Sequence, residues 1–268
     1  MGGDGASSRG RESLADLRAR VVGVDDPRII WHLCQQLRDD PRKGAQQLAL
    51  VLQRRLAAIR KERRRLEKLF AYRQELFARG LRLVAGIDEV GVGPLAGPVV
   101  AAAVILPERV DLPRLDDSKK LSRAAREGLD RAIRAQAEAV AIGEADAAEI
   151  DRINILQATL QAMRRAVLAL GLVPDHLLVD ARTIPGVGVE QTALVGGDGR
   201  DGSIAAASIV AKVHRDGLMR RFDDDHPGYG FTRHVGYGTA EHMAALRRLG
   251  PSPIHRRSFA PVAAAAGS

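Results

Sequence analysis

Residues 84–106, VAGIDEVGVGPLAGPVVAAAVIL, constrain this chain more than any other stretch. Two short apolar runs, Leu83-Val84-Ala85 and Val99 to Leu106, bracket a turn containing Gly91, Gly93 and Gly97. Both runs are β-branched and bounded by Gly or Pro, which predicts a strand for each. The first delivers two adjacent carboxylates, Asp88 and Glu89, into the turn. Neighbouring strand residues face opposite sides, so the two can meet one centre only at a strand end or a bulge. Glycines allow positive φ and let a ligand approach the backbone. An acidic pair beside an open glycine turn reads as a metal and phosphate site rather than as a core strand.

Downstream, strands and helices alternate. A polar loop, Asp116-Asp117-Ser118-Lys119-Lys120, leads to a helix capped by Ser122 and reaching about Gln136. Strands are predicted at Glu138–Glu144, His176–Val179 and Thr192–Val195. Asp146 and Asn154 cap helical segments reaching Leu170, Ser203–Asp223 is helical, and Thr239 caps a final helix to Leu249. Hairpin-connected strands followed by this alternation predict an α/β fold, a mixed sheet with helices on both faces. Asp180 closes one strand and Asp198 follows the next, inside Gly196-Gly197-Asp198-Gly199. Ligand crevices of open α/β sheets lie at strand carboxyl ends. Oxygen donors gathered there, without Cys or clustered His, suit Mg²⁺ or Mn²⁺. The competing reading is that Asp88, Asp180 and Asp198 only cap helices or make turns.

Charge is unevenly placed. The net charge is +8, yet residues 1–79 hold 18 Lys and Arg against 10 Asp and Glu, and residues 80–268 hold 23 of each. An excess confined to one segment points to an anionic partner, nucleic acid first and a membrane surface second, or simply to a solvated Arg-rich helix face. Residues 1–10 are expected to be disordered. Helices are predicted at 13–20, 28–38 and 43–78, the last amphipathic and basic, with Gly80 as the boundary to the second part. One cysteine, Cys34, excludes an internal disulfide and a cysteine metal cage, which fits a cytoplasmic protein. No apolar run reaches membrane-spanning length, so no membrane role is expected. A monomer is the expected state.

Seven motifs carry a resemblance. They are Gly86 to Gly91 (GIDEVG), Gly93 to Pro98 (GPLAGP), Asp117 to Ser122 (DSKKLS), Leu178-Val179-Asp180, Ser203 to Asp216, Gly236 to Thr239 (GYGT) and His255 to Phe259 (HRRSF). Together, over residues 81–262 and in order, they resemble bacterial ribonuclease HII. The basic N-terminal segment, with Asp40-Pro41-Arg42-Lys43, is similar to an extension seen on some members. The resemblance implies a ribonuclease H-like fold preceded by an all-α extension, and metal-dependent cleavage of the RNA strand in RNA–DNA hybrids. It further implies incision 5′ to ribonucleotides embedded in duplex DNA, leaving 3′-hydroxyl and 5′-phosphate ends.

Carried over by position, the resemblance makes Asp88, Glu89, Asp180 and Asp198 the catalytic and metal-binding carboxylates. It makes Tyr237 the residue that stacks beneath the ribonucleotide sugar, where the 2′-hydroxyl is sensed. Gly91, Val92 and Gly93 would lie against the ribonucleotide, with Ser118, Lys119 and Lys120 as phosphate contacts. Asp216 reads as a helix residue supporting the fold and Tyr229 as structural, while His214, His226, His234, His242 and His255 read as surface or turn residues. Three positions depart from the family pattern by lacking an expected cation: Val92, Gly196 and Val235. Because phosphate-contacting cations supply much of nucleic-acid affinity, a second function class stays open, a catalytically impaired nucleic-acid-binding protein of the same fold.

Overall fold

The computed structural model describes residues 12–266. The tail expected to be disordered, residues 1–10, lies outside them. Two compact units divide at Arg65 and Leu66.

The first unit contains α1 (Leu14–Val21), α2 (Pro27–Arg38) and most of α3 (Lys43–Leu69). Ser13 and Asp26 cap α1 and α2 by accepting hydrogen bonds from backbone N–H groups. Leu17 and Val21, Ile30, Leu33, Cys34 and Leu37, and Ala45, Ala49, Leu52 and Leu56 recur at helical spacing and form one small core.

The single helix expected over 43–78 is two: α3 stops at Leu69 and α4 runs from Ala71 to Ala78. Phe70, between them, packs against Gly202, where a Cβ would sit 2.1 Å from its ring. Arg73, one turn on, is buried and donates to the carbonyls of Leu106, Pro107 and Glu108. Helical periodicity shows no break here because Phe70 and Arg73 satisfy tertiary demands that no local pattern encodes.

The second unit holds the sheet. Its remaining elements are β1 (Val84–Val90), β2 (Val99–Ile105), α5 (Arg123–Gln136), β3 (Ala139–Ala145), α6 (Ala147–Ile153), α7 (Ile155–Leu168), β4 (His176–Asp180), β5 (Gln191–Leu194), α8 (Gly202–Asp225), α9 (Phe231–His234), α10 (Ala240–Leu249) and α11 (Ala260–Ala266). Strand order is β3-β2-β1-β4-β5. The β1–β2 and β2–β3 pairs are antiparallel and the β1–β4 and β4–β5 pairs parallel. The α10 helix, expected to be last, is followed by α11.

Side-chain alternation sends the two faces of the sheet to different helices. Ala85, Ile87, Ala101, Ala103 and Ile105 pack with Ala158, Ala162, Met163 and Ala166 of α7. Val100, Ala102 and Val104 pack with Ala205, Ile209 and Val210 of α8 and Leu129 and Ile133 of α5. At Gly86 a Cβ would lie 2.1 Å from the backbone of Ser203. Only glycine lets α8 approach β1 so closely, and that approach brings Ser208 to the acidic end of the strand. No helix among the described residues is long and apolar enough to cross a membrane.

Candidate active site

β1 outruns its parallel neighbour. The last register pair between β1 and β4 is Ile87 with Val179, and Asp88 and Asp180 come next on the two strands. Sheet registry therefore sets these carboxylates side by side. Asp88, Glu89 and Asp180 each offer an oxygen, and those oxygens lie within 4.8 Å of one another. Glu89 joins although it remains in a strand paired with β2.

The cluster is electrostatically unfinished. Burial pushes the Asp88 carboxyl well above the usual carboxylate range, and the charges of Glu89 and Asp180 push it further. Ser208, which hydrogen-bonds Asp88, opposes the rise. Glu89 is raised by burial and by Asp180, against the lowering effect of Arg182. Glu89 Oε2 is buried and has no hydrogen-bond partner. An orphaned carboxylate oxygen among two further carboxylates, with no thiolate or imidazole, fits a hard divalent cation.

Asp198 is placed differently from the other three. It lies beyond β5 in a short 3-10 turn, Gly197–Gly199, which folds over Asp180 so that the Gly197 N–H donates to Asp180 Oδ1 at 2.7 Å. Its own Oδ2 takes Lys119 Nζ at 3.0 Å, a contact that raises the lysine pKa. Of the residues expected to touch phosphate, Lys119 thus faces the acidic crevice and Lys120 pairs with Asp116. Ser118 is almost entirely shielded from solvent. It is buried, with its Oγ 2.9 Å from that of Ser208, so it supports the serine that contacts Asp88. Asp216 lies on α8, bonded to Lys212.

The Gly91-Val92-Gly93 turn is held from behind by two buried arginines that sequence reasoning missed. Arg256 donates to the carbonyls of Gly91, Val92 and Gly97, and Arg215 to those of Ala96, Pro98 and Val235. At Gly91, φ is +89° and a Cβ would strike Arg215. In a trans peptide the N–H points opposite to the C=O. With the carbonyls of Gly91 and Val92 turned in to Arg256, the N–H groups of Val92 and Gly93 point outward, and both residues are exposed. Tyr237, 44% exposed, stands beside them: a Cβ on Gly93 would lie 3.8 Å from its ring. Arginines amid apolar helix residues and in HRRSF were the available signal, but their carbonyl partners are distant in sequence.

The Tyr237 segment has its own support. Leu95 N–H donates to Gly236 O, and His242 Nδ1 lies 2.9 Å from Tyr237 O. His242 Nε2 is 3.0 Å from His255 Nε2, and His255 Nδ1 is 2.8 Å from Ser252 Oγ. His234, His242 and His255 are buried, not the surface or turn residues expected from their spacing. Burial lowers the His255 pKa to about 4, and the neighbouring His242 adds to the shift. Tyr229 is structural, its hydroxyl bonded to Gly250 O at 2.6 Å.

A mixed five-stranded sheet of this order, with carboxylates clustered where β1 and β4 end, defines a ribonuclease H-like hydrolase. The family model described as Ribonuclease HII matches residues 85–262, and that for the Ribonuclease HII N-terminal domain matches residues 24–77. Ribonuclease HII of Geobacillus kaustophilus (strain HTA426) is 52% identical over 254 residues, covering 94% of this chain and 95% of the relative. That of Geobacillus thermodenitrificans (strain NG80-2) is 52% identical over 256 residues, 96% of each. The crystal structure of ribonuclease H2 from Pyrococcus horikoshii OT3 superposes with a TM-score of 0.58 at 26% identity, covering 69% of this chain and 97% of that one. The chain belongs to the ribonuclease HII family, whose members are divalent-metal-dependent ribonuclease H endonucleases.

Proposed function

We propose that the protein hydrolyses the RNA strand of RNA–DNA hybrids and incises duplex DNA on the 5′ side of embedded ribonucleotides, leaving 3′-hydroxyl and 5′-phosphate ends. The observation that carries this reading is the adjacency in the chain of two features: the three-carboxylate cluster with its orphaned Glu89 oxygen, and, two residues on, a turn with two outward N–H groups beside Tyr237.

Asp88, Glu89 and Asp180 hold divalent cations, Mg²⁺ or Mn²⁺, and Asp198 joins them when Lys119 is drawn to phosphate. Two such ions, when bound, would supply activation of the attacking water and charge stabilisation at the leaving 3′ oxygen. The N–H groups of Val92 and Gly93 meet the 2′-hydroxyl, a group that DNA lacks. Tyr237 stacks beneath the sugar and fixes which phosphate lies over the carboxylates. Lys119 and Lys120 neutralise the flanking backbone. Functionally the chain divides near Gly80: residues 80–268 perform the chemistry, and the basic residues 1–79 add affinity for the anionic strands. We place it in the cytoplasm, a reading supported by its lone cysteine, Cys34, which forms no disulfide, and take it to act as a monomer.

The test is a duplex labelled on the strand that carries one ribonucleotide, incubated with Mg²⁺ or Mn²⁺. One product, cut 5′ to the ribonucleotide, is expected, with the all-DNA control intact. Equal cutting of the control, or no cutting with either metal, overturns the reading.

A further inference from the structure

The first unit carries a groove of about 580 Å³ between α2 and the second half of α3, within the size range of pockets that take small ligands. Leu56 and Ile59 contribute its apolar surface, together with Trp31, the only tryptophan in the chain. Arg28, Arg60 and Arg64 also line it, and no carboxylate does.

The core of this unit has no use for Trp31. Ile30, Leu33, Cys34 and Leu37 turn inward from α2, whereas Trp31 stays 44% exposed. The ring of His32 meets it edge-on, with centroids 4.9 Å apart at 79°. Among the described residues, Arg28, Arg60 and Arg64 have no carboxylate partner, unlike Arg55, which pairs with Asp25. An aromatic ring left in water beside guanidinium groups is the composition of a recognition surface.

The ligand that satisfies both must join a flat apolar ring to anionic groups at fixed spacing. In a duplex the bases are stacked on one another, so its phosphates could reach the arginines but no ring could reach Trp31. An unpaired strand offers both, since every base has a face to stack and a phosphate on each side. Arg60 and Arg64, one helical turn apart, stand about 6 Å apart along α3, on the scale of successive phosphates in an extended strand.

We propose that this groove binds an unpaired nucleic-acid strand, with one base stacked on Trp31 and the adjoining phosphates held by Arg28, Arg60 and Arg64. The proposal rests on the reading of the basic segment as a nucleic-acid contact and gives that segment a preference for single strands over duplex. The protein would then grip a frayed or flanking strand while the second unit works on the duplex.

Trp31 reports on its own site. Full-length protein carrying Asp180→Asn, without divalent metal, is titrated with a short oligothymidylate while tryptophan emission is followed. Saturable quenching is expected, with a clearly smaller change for a blunt duplex of equal length. Trp31→Phe should keep strand affinity by fluorescence anisotropy, Trp31→Ala should weaken it about tenfold, and Arg60→Gln with Arg64→Gln should weaken it at least as much. These exposed changes should leave the helical circular dichroism unaltered. The proposal is overturned if the strand binds without changing the emission, if Trp31→Ala binds as tightly as the parent, or if blunt duplex quenches equally. An aspartate-rich peptide ending in Phe that displaces the strand and binds more tightly would reassign the groove to an acidic protein partner. Cleavage of the ribonucleotide duplex by the wild-type chain, measured separately, tells failure of this proposal from failure of the broader reading.

Discussion

The acidic crevice and the arginine-backed turn both bury charge, and they treat it in opposite ways. Behind the turn, each buried guanidinium donates to three backbone carbonyls. In the crevice, burial and neighbouring carboxylates raise the proton affinity of Asp88 and Glu89, and one buried oxygen has no partner. Satisfied buried charge is scaffold, since removing it leaves unpaired groups behind. Unsatisfied buried charge marks a place where the fold awaits a ligand. The two regions lie two residues apart in sequence, so the scaffold sets how the turn presents itself beside the carboxylates.

Substitution should separate them most strongly in activity. Asp180→Asn keeps the acceptor for Gly197 N–H but removes one metal-ligand charge. Cleavage should fall by about a thousandfold or more, equivalent to about 4 kcal/mol in the barrier, while duplex binding persists. Stability at pH 7, read by urea unfolding, should rise. A carboxylate whose folded pKa is raised destabilises the fold above its unfolded pKa, and loss of Asp180 relieves Asp88 and Glu89. Near wild-type cleavage at saturating metal would break the comparison at its first term.

Arg256→Ala should do the reverse to stability. With the Gly91, Val92 and Gly97 carbonyls left without their donor, urea unfolding should show a loss of about 3–5 kcal/mol. A loss under about 1 kcal/mol would mean that water replaces the guanidinium and that the turn is not held from behind.

Val92→Arg sharpens the contrast by adding a cation on the outer side of the same turn, where Val92 is 37% exposed. Binding to a ribonucleotide-containing duplex should tighten by about 1–3 kcal/mol, and the plot of log affinity against log salt should steepen by about one unit. If neither changes, the outer face of the turn does not meet phosphate.

The smallest effect is one of pH. His255 keeps a folded pKa of about 4 against 6.5 for the ordinary side chain, chiefly through burial. A buried neutral imidazole contributes stability that is full above the unfolded pKa and declines as pH falls from about 6.5 towards 4. Between pH 6.5 and pH 5 the decline should be roughly 1–2 kcal/mol, with the His255 ring still neutral at pH 5 by NMR. A ring that titrates near 6.5 would show that the Ser252–His255–His242 chain does not hold Tyr237.

Much of this was legible in the residues themselves. Short apolar runs bounded by turn residues announce the five strands, and Ser122, Asp146, Asn154 and Thr239 each cap the helix that their position announces. Hydrogen bonding between neighbours in sequence is what a sequence displays. Asp88, Glu89 and Asp180 could likewise be chosen as candidates, because strand ends and carboxylates are local features. What tertiary structure decided was which groups meet across long intervals. Registry between β1 and β4 sets Asp88 beside Asp180, and Glu89 joins them. Lys119 turned out to face Asp198, Ser118 to be buried behind Asp88, and three histidines to form a buried set. Arg256 reaches back to carbonyls more than 150 positions earlier. Such pairings leave no periodicity in the chain, since they depend on where complete strands and helices come to rest, and the packing of α8 against Gly86 fixes that position for this site.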